Sequence, residues 1–187
     1  MSYAGNRVIY DADGHIMELP THLREFADPD VRELIPLTNY SASSVTEEEV
    51  AVLVAQGGRH SDEHINRLLS LGDGLIAESK EIQALGAFDG SHRSQALDML
   101  GFKKQIIFST LSAKAPFSPT LETHVKYGAV RAHTRAMKAF CGADDRLMGI
   151  ACISLDDPVL AVKELEFALE SGLEGIWVPH RICGDKS

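Results

Sequence analysis

The sequence has no long apolar run and few cysteines, and both absences restrict what the protein can be. Its longest apolar stretch, Val50–Ala55, is far shorter than the roughly 18 residues that a membrane-spanning helix requires. The first residues contain no basic region followed by an apolar run, so we expect no secretory signal and a cytoplasmic protein. The three cysteines (Cys141, Cys152 and Cys183) have no CxxC or CxxH spacing, and an odd number is a poor basis for a disulfide framework. We therefore expect buried or inert thiols in a reducing compartment.

Positive charge is also scarce, with 18 Lys and Arg residues against 27 Asp and Glu, and the formal net charge is −9. Proteins that bind nucleic acid usually carry a basic patch, so no nucleic-acid partner is expected. The GxGxxG, GxxxxGK(S/T) and GxSxG motifs are absent, which disfavours dinucleotide enzymes, P-loop NTPases and α/β-hydrolases. Hydrophobic residues make up 44% of the chain, which is typical of a globular domain with a core.

Four short β-rich segments alternate with helical patterns over most of the chain. The run Ile106–Phe108 is typical of a strand buried on both faces. Strands that alternate with single helices indicate βαβ units and a parallel sheet. The predicted strands are Arg7–Asp13, Lys104–Thr110, Leu147–Ser154 and Gly175–Pro179.

Helix start and stop signals lie between these strands. Thr46 with Glu49 has the spacing of a capping box, which predicts a helix over residues 47–55. Ser91 predicts the start of a helix that ends at Gly101. Two further helices are predicted from Ser118 and Pro119 to about residue 142, and from Asp157 and Pro158 to about residue 172.

Four βα units are half of a (β/α)₈ barrel, a fold that typically needs about 250 residues. The sequence has 187 residues, and it ends shortly after the fourth predicted strand. We interpret it as a single domain over residues 1–187, the N-terminal half of a TIM barrel. An irregular helical insertion of about residues 19–90 follows the first strand. We expect the chain to be truncated.

The segment Asp11–Glu18 resembles the first-strand metal motif of the amidohydrolase superfamily. Within the superfamily it most resembles amidohydrolase family 2, which includes aminocarboxymuconate-semialdehyde decarboxylase and the resorcylate-type decarboxylases. Other segments resemble this family in order and spacing, and they extend the resemblance over most of the chain. They are Ala84–Asp89, Arg93–Phe108, Tyr127–Phe140, Asp144–Gly149 and Gly172–Pro179.

The resemblance implies a barrel with a divalent metal ion at its C-terminal mouth. Asp13 and His15 match the two positions of the family's His-x-His pattern, with an acidic residue in place of the first histidine. Alternate residues of a strand point to the same side, so both side chains can face one cation. A carboxylate with a neutral imidazole suits zinc, with manganese as the alternative. The resemblance also implies a small carboxylated or cyclic substrate and a dimer.

Other polar residues near the predicted strand ends have more than one interpretation. Glu18 is either a third ligand, a partner of the ligands, or a carboxylate at a helix start. His180 directly follows the fourth strand and either binds substrate or has no function. Ser109, Thr110 and Ser154 either line the same cavity or satisfy loop backbone.

The remaining histidines give no separate functional signal. We expect four of them to be solvated or to cap helices: His22, His60, His64 and His92. His124 and His133 lie with Arg131 and Arg135 on the long predicted helix, where an exposed face or a subunit contact is expected.

Two functions remain open from the sequence. The first is a metal-dependent hydrolase or decarboxylase, whose other metal ligands follow later strands of the family's barrel. The second is an inactive half-barrel that serves as a scaffold and self-associates. The substrate and the choice between hydrolysis and decarboxylation are not determined by these residues.

Overall fold

The strands form one parallel sheet in chain order. A computed structural model describes residues 2–41, 43–78 and 80–180. The strands are β1 (Ile9–Ile16), β2 (Phe102–Ser109), β3 (Leu147–Cys152) and β4 (Gly175–Trp177), and each pairs in parallel with the next. The expectation of a mixed α/β fold with four parallel strands is confirmed.

Seven α-helices are described, and four of them lie in the irregular segment between β1 and β2. These four are α1 (His22–Phe26), α2 (Glu47–Ala55), α3 (Asp62–Leu69) and α4 (Leu75–Glu78). The other three each precede a strand: α5 (Gly90–Leu100), α6 (Thr123–Cys141) and α7 (Pro158–Glu170). No helix in the described ranges is both long and apolar enough to cross a membrane.

The main core lies between the sheet and the helices of one face. Ile107 in β2 is fully buried there with Leu97, Val130 and Met137 from α5 and α6. Its neighbours in the strand, Ile106 and Phe108, point to the other face and are only partly buried. The prediction of burial on both faces is therefore wrong for β2, because helices cover one face of the sheet in the described part of the chain.

Three helix starts test the capping predictions. Helix α2 has the predicted bounds, and the reciprocal bonds of Thr46 and Glu49 are present. Helix α5 starts one residue earlier than Ser91, because the carboxylate of Asp89 accepts the N–H groups of Ser91 and His92. Helix α6 starts at Thr123, later than predicted.

The late start of α6 has a local cause. The hydroxyl of Ser118 accepts the N–H groups of Thr120 and Leu121 at 3.3 Å each. Ser118 thus closes a turn that precedes the helix. A serine followed by proline fits the sequence rule for a helix start. Here, however, the Ser118 side chain accepts hydrogen bonds in the turn before α6 instead of capping the helix itself.

Candidate functional site

Asp13 and His15 lie in β1, which continues to Ile16 rather than ending at Asp13 as predicted. The side chains lie together, with Asp13 Oδ1 3.3 Å from His15 Nε2. They are 89% and 43% exposed, respectively, and both line a cavity of about 580 Å³. The expected placement of the two side chains on one side of the strand is therefore present.

This separation can be compared with the geometry of a zinc site. Two ligands of a tetrahedral zinc ion, with bond lengths of about 2.0–2.1 Å, lie about 3.3–3.4 Å apart. The separation of 3.3 Å between Asp13 Oδ1 and His15 Nε2 agrees with this distance between two ligand atoms. The same separation also fits a hydrogen bond from His15 Nε2 to the Asp13 carboxylate. The pair thus fits two positions of a metal site in both donor chemistry and spacing.

A third ligand is not present in the described ranges. No group of three or more His, Cys, Asp or Glu side chains there could hold a metal ion. Catalytic zinc sites usually have three protein ligands. Asp13 and His15 therefore supply part of a ligand set.

A buried arginine holds the end of β1 that carries the pair. Arg93 Nη2 donates to the carbonyl oxygen of His15 at 2.5 Å, and its Nε donates to the carbonyl oxygen of Gly86 at 3.0 Å. Its Nη1 donates to Oε1 of Gln105 in β2 at 3.3 Å. Burial lowers the pKa of Arg93 to about 10, against the opposing effect of Asp11. The guanidinium remains charged at neutral pH and joins α5 to both strands.

A second series of hydrogen bonds fixes the conformation of the backbone between Asp11 and Asp13. Gln105 Nε2 donates to Oδ2 of Asp11 at 2.5 Å, and Asp11 Oδ1 accepts the N–H of Asp13 at 3.0 Å. The pairing register of β1 with β2 shifts between Asp11 and Gly14. This bulge changes the direction in which the side chains of the following residues point. Bulges next to active sites commonly have this effect.

The next strand contacts His15 through Thr110 and Phe108. Thr110 Oγ1 is 3.4 Å from His15 Nδ1 and donates to the carbonyl oxygen of Ile16 at 2.5 Å. The ring of Phe108 stacks on that of His15, with the centroids 5.7 Å apart. The imidazole therefore has a polar neighbour at each nitrogen, Asp13 at Nε2 and Thr110 at Nδ1, and an apolar contact on one ring face.

Glu18 is fully buried and contacts the backbone of Thr110. Its carboxylate accepts the N–H groups of Thr110, Leu111 and Ser112, and also the Ser112 hydroxyl. Burial raises the pKa of Glu18, and these hydrogen bonds oppose that rise. Glu18 thus satisfies backbone N–H groups at the start of the distant 3₁₀ turn Ser112–Lys114, rather than lying at the start of a helix of its own.

The other strand-end candidates lie away from the pair. Ser109 faces the helices, where its hydroxyl is 2.9 Å from His133 Nε2. Ser154 is fully buried, and its hydroxyl donates to Asp156. His180 is exposed beyond the end of β4, and two strands separate β4 from β1. The predicted function of His180 in substrate binding is not tested by this position.

The expectation of an exposed face on the long helix is wrong for His133, whereas His124 is exposed and a subunit contact stays a prediction. His133 is fully buried between α6 and the sheet, and burial lowers its pKa to about 3. Arg131 pairs with Glu164 of α7, and Arg135 pairs with Asp28. His22, expected to be solvated or capping, has a buried Nε2, and burial lowers its pKa to about 4. The helical periodicity alone did not indicate which residues face the sheet.

The thiols fit the prediction of buried, inert groups as far as the structure describes them. Cys141 and Cys152 are free and buried, and burial raises the pKa of Cys141 to about 12. A thiol with a raised pKa is a poor nucleophile at neutral pH. Cys183 lies outside the described residues.

Several residues that build the site were not singled out as site residues from the sequence. Arg93 and Gln105 lie in segments quoted for the family resemblance, and Asp11 begins the metal motif, but none had a predicted function. The available sequence signal is that Arg93 lies at the helical spacing of the apolar residues Ala96, Leu97 and Leu100. An arginine on the buried face of a helix needs partners, because arginine is rarely buried without them.

The fold was also compared with known proteins. No protein-family model and no curated protein matches the chain. A solved amidohydrolase from Mycobacterium avium subsp. paratuberculosis has a similar structure, with a TM-score of 0.61 and 13% sequence identity. The match covers 92% of this chain and 50% of that chain, so the chain spans about half the length of that protein. At this identity the likeness concerns the fold alone.

Proposed function

We propose that this chain is part of a metal-dependent enzyme of the amidohydrolase type, in which Asp13 and His15 are two of the metal ligands. The observation that supports this proposal is the 3.3 Å separation of their ligand atoms at the carboxyl end of β1. Active sites of barrel enzymes lie at this end of the strands. The structural likeness to an amidohydrolase is a second, independent support.

The finer parts of the proposal come from the sequence resemblance. They are membership of amidohydrolase family 2, zinc ahead of manganese, a small carboxylated or cyclic substrate with His180 near it, and a dimer. Asp13 and His15 would hold a divalent ion, whose Lewis acidity would serve the activation of water for hydrolysis or the polarisation of a substrate carboxylate for decarboxylation. Arg93 holds the backbone of His15.

Metal binding is the direct test. We would remove metal from the purified protein, titrate it with Zn²⁺ and Mn²⁺ by calorimetry, and determine bound metal by elemental analysis. Asp13→Asn and His15→Gln should each lower zinc affinity by more than about tenfold. Loss of a hydrogen-bond partner of a ligand alone already costs about that much.

The matched controls are Asp145→Asn and His124→Gln, which change the same residue types at exposed positions. Both should bind zinc like the unmodified protein. Site variants that bind zinc as tightly as the unmodified protein would contradict the proposal. That result would favour a scaffold without catalytic activity.

A further inference from the structure

Two histidines at the start of α3 join this helix to the segment that precedes α5. His60 Nε2 lies 2.5 Å from the carbonyl oxygen of Ile82, and His64 Nε2 lies 3.0 Å from the carbonyl oxygen of Gln83. A carbonyl oxygen can only accept a hydrogen bond, so each histidine donates from a protonated Nε2. Together the two bonds hold the 3₁₀ turn Glu81–Gln83 against α3.

The two imidazole rings also lie close to each other. Their centroids are 4.4 Å apart, and the ring planes are inclined by 38°. With Nε2 already protonated, an additional proton binds at Nδ1 and makes the ring a cation. Two such cations at this distance repel each other, so the first proton weakens the binding of the second by about tenfold or more.

The environment of His60 also disfavours a charged ring. Burial is the main cause that lowers the pKa of His60, and the hydrogen bond to Ile82 opposes it. The charges that act on this pKa are those of His64 and of His92 in α5, and both lower it. The other charged groups on the surrounding elements are Glu48 and Glu49 of α2, Arg59, Asp62, Glu63 and Arg67 at or in α3, and Lys80 and Glu81 at the turn.

The turn that the histidines hold leads directly to a segment fixed at the end of β1. The carbonyl oxygen of Ala87 accepts the N–H of Met17 at 2.8 Å, and that of Gly86 accepts Nε of Arg93 at 3.0 Å. Ile82 is itself buried in an apolar cluster that includes Met17. The two histidines therefore connect α3 to a well-packed part of the molecule.

We propose that His60 and His64 form a pH-sensitive latch, which holds α3 to the turn Glu81–Gln83 near neutral pH and opens on acidification. In the open state the rings can separate and gain water, so both can bind a proton. Because the open state binds more protons than the closed state, its population rises as the pH falls below about 6.5, the ordinary pKa of histidine. The latch is independent of the proposed metal site.

Histidine titration by nuclear magnetic resonance with ¹⁵N-labelled histidine tests the coupling between the rings. The variant His64→Gln retains an N–H donor at this position but cannot gain a charge. We expect it to raise the pH at which His60 binds its proton by up to about one unit, the equivalent of tenfold coupling. The control His124→Gln, at an exposed position of α6, should leave the titration of His60 unchanged. An unchanged titration of His60 in His64→Gln would overturn the proposal.

Hydrogen exchange at pH 7 and pH 5 tests the opening itself, with rates corrected for the intrinsic effect of pH. A helix as short as α3 is unstable alone in water, so opening of the latch exposes its amides. The amide of Ile65, which donates to Ser61, should lose about tenfold or more protection at pH 5, beyond any loss at Ile107 in the centre of β2. The amide of Ile107 reports global unfolding.

The double variant His60→Gln/His64→Gln keeps donors at both positions without titratable rings, so the additional loss at Ile65 should be absent. An equal additional loss in the double variant, or none in the unmodified protein, would contradict the latch. If the double variant lacks protection at Ile65 already at pH 7, the titration of His60 in His64→Gln decides.

Discussion

At the scale of single residues, the most strongly constrained group is the carboxylate of Glu18. It is fully buried, and it accepts three consecutive backbone N–H groups together with a serine hydroxyl. A buried polar group that loses its partner costs about 1–3 kcal/mol, more than the group contributes when it is paired. Glu18 therefore has a structural function that is independent of any metal.

We expect Glu18→Gln to lower the free energy of unfolding by about 1–3 kcal/mol. The amide nitrogen of glutamine is a donor, and at Oε2 it would face the N–H of Leu111, which is also a donor. Denaturant titration measures this change. The control Glu166→Gln alters an exposed carboxylate of α7 and should leave stability nearly unchanged. Equal stability of the two variants would contradict the structural function of Glu18.

His133 predicts a pH dependence of stability. Its Nε2 lies 2.9 Å from Ser109 Oγ, and its Nδ1 accepts the N–H of Cys152, so the buried ring is neutral. Burial, with a smaller effect of neighbouring His22, lowers its pKa from 6.5 to about 3. Below about pH 6.5 the unfolded chain therefore binds a proton that the folded chain does not. The free energy of unfolding should fall with falling pH, by up to about 1.4 kcal/mol per pH unit for this group.

The measurement compares the free energy of unfolding at several pH values between about 7 and 4. His22, whose pKa burial lowers to about 4, adds a second contribution of the same sign. His133→Gln should reduce the slope, because one titrating group is removed from the folded and unfolded states. His124→Gln, at an exposed position of the same helix, should leave the slope as it is. An unchanged slope in His133→Gln would show that the ring is not held neutral.

At the scale of elements, the structure depends on the close packing of α5 against the end of α6. Gly90, the first residue of α5, lies so near α6 that a Cβ atom there would be 2.0 Å from the carbonyl oxygen of Phe140. Backbone atoms cannot yield as a flexible side chain can. The same helix carries Arg93, which holds the carbonyl of His15. The position of α5 is therefore coupled to the end of β1.

Gly90→Ala should destabilise the protein by about 1–3 kcal/mol, the usual cost of inserting atoms into a packed region. Gly74→Ala is the control, because nothing lies within 4 Å of a Cβ atom at that position. Thermal or denaturant unfolding of both variants gives the comparison. A Gly90→Ala protein as stable as Gly74→Ala would mean that α5 can move away from α6 without cost.

Particular elements show how far the sequence determines this fold. Helix α2 was predicted with its bounds, because Thr46 and Glu49 form a signal that depends only on local spacing. The start of α6 was missed, because Ser118 has two possible uses and only the structure selects one. The orientation of α6 was missed for another reason: whether His133 faces the sheet depends on contacts with distant residues. For the site, the sequence predicted that Asp13 and His15 lie side by side. It did not predict the function of Arg93, because the three partners of Arg93 lie on separate segments of the chain.

At the scale of the whole molecule, the sheet is covered unequally. Its helices lie on one face, while Ile106 and Phe108 on the other are partly exposed. Strand β4 has only three residues, Gly175–Trp177, and it is the last strand in the sheet order. In the described residues, only β3 pairs with it. An edge strand of this length makes few backbone bonds, so it should open locally at a lower cost than the strands inside the sheet.

Hydrogen exchange under native conditions measures this difference. We expect the amide of Ile153, whose N–H donates to the carbonyl oxygen of Trp177, to exchange by local opening with little dependence on denaturant. The amide of Ile107, in the fully buried centre of β2, should exchange only with global unfolding. Equal protection of the two amides, with equal dependence on denaturant, would contradict this expectation. In that case β4 would unfold only with the whole sheet, and its free edge would have to be stabilised by contacts beyond those of the described residues.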